Sequence, residues 1–135
     1  MPGMVPDNDV EGYFKILLQH LASDSWRDVW SETGFTVETF ASLGLLRDVA
    51  DDVLWKTCQQ RQVILVTGNR TKAGPTSLES TIRIHNAPDC LPVLTLADPK
   101  QIKSNKPYAE RVVERLLEYL VDIENLRGTG RLYLP

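Results

Sequence analysis

The sequence predicts an α/β protein, a three-layer sandwich built on a central, mainly parallel sheet of four or five strands. Val63-Ile64-Leu65-Val66 is an unbroken aliphatic run with no in/out alternation, the pattern of a strand covered on both faces. Strand-like and helix-like segments alternate along the chain, as repeated strand-helix-strand units require. The 135 residues, 42% hydrophobic and 24% charged, suit a single domain, 1–135, with one sizeable core.

Taken in order, Met4-Val5 begins a first strand that Pro6 keeps short and Asp7 closes. Asp9 is placed to cap a helix whose Val10, Phe14, Leu17, Leu18 and Leu21 share one face. Trp26 and Trp30, four apart within 23–34, predict a short helix with both indoles on one side. The branched and aromatic run Thr36 to Phe40 reads as a second strand, with Glu38 turned to solvent. After the break at Gly44, a helix beginning within 48–52 uses its acids as cap and dipole partners. Val53, Leu54, Thr57 and Cys58 form its expected buried stripe, with Trp55 off it.

Beyond the central strand, 68–75 is a polar loop, and Thr76-Ser77-Leu78-Glu79 has the form of a capping box opening a helix to about His85. Val93 to Leu96 is a further parallel strand, turned by Asp98-Pro99. Pro107 suits the first turn of the longest helix, whose Val112, Leu116 and Leu120 line one row and Val113, Leu117 and Val121 the next. Leu132-Tyr133-Leu134 is an edge strand or a docking segment for another subunit.

Several classes are excluded. The loop after the central strand carries Pro75-Thr76 where a Walker loop needs Lys-Ser, and neither G-x-G-x-x-G nor G-x-S-x-G occurs. Two cysteines and two histidines without close spacing argue against zinc, and Cys58 and Cys90 read as reduced. No apolar run approaches the roughly 20 residues of a membrane helix, and the first dozen residues hold Asp7, Asp9 and Glu11 with no Lys or Arg. A cytoplasmic location, with no membrane partner, is expected.

Net charge is −3, unevenly spread: 4 Lys/Arg against 10 Asp/Glu over 1–60, and 11 against 8 over 61–135. In an open parallel sheet, ligands bind beyond the carboxyl ends of the strands. That edge gathers Asp7, Asn69 and Asp98, with Asp51 or Asp52 approaching from the start of the helix that feeds the central strand. Converging oxygen donors are what Mg2+ or Mn2+ takes, and such an ion polarises a phosphodiester and lowers the pKa of an attacking water. Each residue also has a structural use: Asp7 as a strand end, Asp51 as a cap, Asn69 in a tight turn, Glu79 in the capping box and Asp98 in an Asp-Pro turn.

Three stretches resemble the PIN-like superfamily, in particular its small bacterial branch related to the toxin ribonucleases of toxin-antitoxin pairs. They are Val5 to Gly12, similar to the family's first strand ending in an acid; Asp51 to Leu54, similar to its acid-led second motif; and Gln62 to Asn69, similar to its Val-Leu-Val-Thr-x-Asp motif. The resemblance covers residues 4 to 70. It implies a Mg2+- or Mn2+-dependent ribonuclease with Asp7 and Asp51 as metal ligands and Asn69 as third ligand or water-positioner. Arg70, Lys72 and Arg83 are then expected near substrate phosphates. Asn69 stands where the family has an aspartate, and Thr71 and Lys72 replace its next acid, which leaves Glu79 or Asp98 to compensate. The same departures allow a non-catalytic PIN-like module with an eroded site that binds RNA or an antitoxin-like protein. A homodimer is suggested by exposed tryptophans and the apolar C-terminus.

Overall fold

The computed structural model describes residues 2–69, 74 and 76–135. Five parallel strands, β1 (Gly3–Pro6), β2 (Thr36–Val37), β3 (Val63–Thr67), β4 (Val93–Leu96) and β5 (Arg131–Leu134), lie in the order β2-β1-β3-β4-β5. The helices are α1 (Glu11–Leu21), α2 (Arg27–Thr33), α3 (Asp51–Arg61), α4 (Leu78–His85), α5 (Pro99–Ser104), α6 (Lys106–Val121) and α7 (Ile123–Leu126). All five residues of β3 are buried, as its uninterrupted apolar run predicts.

Alternation along β3 divides the core in two. Ile64 and Val66 face α1, α5 and α6, joined there by Met4, Leu94 and Leu134. Val63 and Leu65 face α3 and α4, with Val5 and Val93 beside them. Helices therefore cover both faces of the sheet, giving the three layers expected.

Several local expectations fail for identifiable reasons. The second strand stops at Val37. Thr39 and Ser42 bond each other's backbone N–H groups through their hydroxyls at 2.9 and 3.0 Å, and this turn swings Phe40 into the α3 side of the core. Glu38, expected in solvent, is partly buried and accepts from Ser42 Oγ at 3.0 Å. Asp9 does not cap α1, because a 3-10 turn over Asn8–Val10 intervenes and Asp7 caps that.

In α3, Val53 is 45% exposed while Trp55 is buried, its ring 6.4 Å from that of His85 on α4. The helix thus turns a broader face to α4 than the predicted stripe. Ser77, one residue later than Thr76, caps α4 by accepting from the Ser80 N–H at 3.2 Å. Glu79 is free for a distant partner. Trp26 and Trp30 are partly buried against the α6 side of the core, Trp55 is buried, and the C-terminal segment forms β5, which pairs with β4 as an edge strand of the sheet. Among the described residues no helix is long and apolar enough to cross a membrane.

Leu94, fully buried at the centre of β4, is the place to test this packing. Leu94→Ala should cost about 2–5 kcal/mol in urea unfolding. Val121→Ala, at a position 73% exposed, should stay within about 0.5 kcal/mol.

Candidate functional site

Strand order reverses between β1 and β3. The chain leaves β1 for β2 on one side, then crosses back through α3 to β3 on the other. A crevice at the carboxyl ends of two such strands is where doubly wound sheets bind ligands. An open cleft of about 530 Å³ lies there, lined by Asp7, Asn8, Asp9, Arg47, Val49, Asp51, Gly68 and Asn69.

Each side chain arrives by a different route. The β1–β3 register pairs Pro6 with Val66, and one further bond from Asp7 N–H to the Val66 carbonyl, 2.8 Å, sets Asp7 beside Thr67. Thr67 Oγ1 donates to Asp7 Oδ2 at 3.0 Å and accepts from the Asn69 N–H at 3.0 Å. Asp51 opens α3, which runs back across the sheet and so starts at the carboxyl edge. Asn69 Nδ2 donates to Asp51 Oδ2 at 3.0 Å. Asp7, Asp51 and Asn69, far apart in the chain, are thereby brought together.

Burial raises the Asp7 carboxyl above its ordinary pKa, and the charges of Asp51 and Glu11 add to the effect; the Thr67 hydroxyl and the Asn8 N–H work against it. Asp9 is raised too, by burial and then by Asp7, with a bond from the Gly68 N–H opposing. A Cβ at position 68 would stand 3.1 Å from Asp9 Oδ2 and 3.2 Å from Val10 Cγ1, so glycine lets the β3 loop close on the 3-10 turn. Beneath the cleft, burial pushes the Cys58 thiol up to about 12, helped by Asp7, which makes it unreactive. The cleft is a crowd of carboxylates, partly neutralised by hydrogen-bond donors.

Comparison of the chain with known protein families, curated proteins and solved structures finds no match. The site therefore rests on its own geometry.

Of the other expected site residues, Asp98 accepts from Gln101 Nε2 at 2.7 Å and does not line the cleft. Glu79 is ion-paired with Arg131, and Arg83 is exposed on α4 away from the lining. Neither Glu79 nor Asp98 compensates for Asn69. Arg70 and Lys72 lie outside the described residues. Among the described residues no three Asp, Glu, His or Cys side chains are grouped to enclose a metal ion.

Two members escape sequence reasoning. Asp9 is absorbed there as a helix cap, although an Asp-x-Asp pair straight after a strand could have flagged it. Arg47, the one cation among the described lining residues, is carried in by a long loop: Asn8 Nδ2 donates to its carbonyl at 2.6 Å, and its guanidinium donates to Glu11 Oε1 at 3.2 Å. No local signal marks it.

The raised Asp7 pKa fixes a pH dependence. The folded form holds the proton to higher pH than the unfolded chain, so stability falls as pH rises from the ordinary aspartate range through the folded pKa. In chelator, Asp7→Asn should melt a few degrees above the parent at pH 7. That advantage should vanish below about pH 4, where the unfolded carboxyl is also protonated. Thermal scans against pH check both.

Proposed function

We propose that this cleft is the centre of a PIN-like, divalent-metal-dependent ribonuclease. One observation carries the reading: Asp7, Asp51 and Asn69, from three separate segments, meet at the switch point of a parallel sheet. Those are the positions on which the resemblance to the PIN-like family rests.

The donor chemistry suits Mg2+ or Mn2+, since carboxylates and an amide oxygen are hard donors. Burial raises Asp7 and the charges of Asp51 and Glu11 add to it; a cation here would offset both by favouring the ionised carboxylate. Asp7 and Asp51 would hold it. Mg2+ characteristically takes one or two protein carboxylates and keeps several waters, which accommodates the lack of a three-acid group among the described residues. When bound, the ion supplies charge stabilisation to a phosphodiester and lowers the pKa of a coordinated water.

The rest is the work of the chain. Thr67 Oγ1 and the Asn8 N–H aim Asp7, and Asn69 Nδ2 aims Asp51. Arg47, its side chain 72% exposed at the rim, has the sign to receive a phosphate. Arg70 and Lys72, one and three residues after Asn69 in the sequence, would add positive charge for the RNA backbone.

Purified protein with Mn2+ should cleave single-stranded RNA. Asp7→Asn should lower the rate by about 100-fold or more, the scale for loss of one group that stabilises transition-state charge. Equal cleavage by parent and variant, or none by either, tells against the enzyme.

A second reading is favoured by one contact. Asn69 Nδ2 already occupies an oxygen of Asp51, so the site can hold itself together without a cation, as an eroded module that binds RNA or a protein partner would. Asn69→Asp distinguishes the two in Mn2+ calorimetry. A nuclease site should bind Mn2+ as the parent and tighten by about tenfold with the added charge. Binding that appears only in Asn69→Asp identifies the module.

A further inference from the structure

Arg131, the first residue of β5, carries a guanidinium that makes four hydrogen bonds to three other segments of the chain. Its side chain is only 8% exposed. Nε and Nη2 donate to Glu79 Oε2 at 3.1 and 2.9 Å, while Nη1 donates to Thr95 Oγ1 at 2.6 Å and to the Asn69 carbonyl at 2.9 Å. One guanidinium therefore joins β5, α4, β4 and Asn69, two residues beyond the end of β3.

We propose that Arg131 is a positioning residue for the cleft, acting through the Asn69 backbone; as regards metal and RNA this rests on the function proposed above. Asn69 is anchored on both sides, its N–H on Thr67 Oγ1 and its carbonyl on Arg131 Nη1. With the backbone pinned at both ends, the amide is aimed at Asp51 Oδ2. Glu79 is the counter-charge that keeps the fork in place. The approach of the strand to α4 depends on Gly130, at φ +82°, where a Cβ would stand 3.2 Å from Ile82 Cγ2.

The geometry is specific to arginine. Partners on three sides match a planar fork with five donors, whereas a lysine ammonium on a flexible stem keeps the charge and the Glu79 pairing but cannot also span to Asn69. Arg131→Lys thus separates the ion pair from the brace.

The test uses the full chain. In metal-free protein, the Asn69 side-chain amide pair in a 15N-correlation spectrum, assigned by its loss in Asn69→Ala, reports the bond to Asp51. It should shift in Arg131→Lys while α1 and α6 resonances stay in place. Asp7-dependent Mn2+ binding should weaken by about tenfold, the lower end of the effect of losing a supporting partner at a metal site. A lower melting temperature with the Asn69 pair unmoved would make Arg131 merely structural and overturn the proposal. If Arg131→Lys does not fold, Glu79→Gln, which keeps the fork but removes its counter-charge, should move the same resonances by less; no movement overturns the proposal. A parent that binds no Mn2+ sinks the metal reading, and the brace is then decided by the Asn69 resonances alone.

Discussion

The parallel pairing of β1 with β3 is the constraint on which the rest depends. Its register, Gly3 with Val63 through Pro6 with Val66, is prolonged by the bond from the Asp7 N–H to the Val66 carbonyl. A slip of one residue would move every β3 side chain to the opposite face and take Asp7 away from Thr67. Pro6 is tolerated because Met4 and Pro6 present their backbone to the β2 side, and β2 has ended at Val37 before Pro6 would need to donate. Chain order then does the rest, since a helix returning across the sheet must begin at the carboxyl edge, and α3 begins with Asp51.

That arrangement has an electrostatic cost. Asp7 and Asp9 are driven upward by burial and by neighbouring negative charge, a combination that a fold selected for stability alone would avoid. The structure lessens the cost with donors: the Thr67 hydroxyl and Asn8 N–H for Asp7, the Gly68 N–H for Asp9, and the Asn69 amide for Asp51. Strained electrostatics concentrated at a topological switch point is the physical basis for assigning function there. Asn69 is the pivot of both readings, because the same amide that steadies Asp51 withholds a further negative charge.

The sequence disclosed what is locally encoded. β3 announces itself by four consecutive aliphatic residues, Asp7 follows from a strand end, and a helix start offers Asp51 or Asp52, between which the family resemblance chooses Asp51. Residues recruited over long distances left no such mark. Glu79 looks like a capping partner until Arg131, 52 residues on, claims it, and Arg47 enters the cleft only because its carbonyl is held by Asn8, 39 residues earlier. Asp9 and Trp55 were obscured differently: a 3-10 turn shifted the start of α1, and the packing of α3 on α4 turned an indole inward against its local stripe. Periodicity reports which face is apolar, while which polar groups meet is a property of the finished sheet.

The central claim is that Asp7 and Asp51 together receive a divalent cation, and anomalous diffraction from crystals soaked in Mn2+ tests it most directly. The account predicts one anomalous peak between the two carboxylates, with an oxygen of each at about 2.1 Å, the spacing usual for octahedral ions of this kind. A cleft without a peak, its Asn69–Asp51 bond intact while Mn2+ appears elsewhere or nowhere, would contradict it.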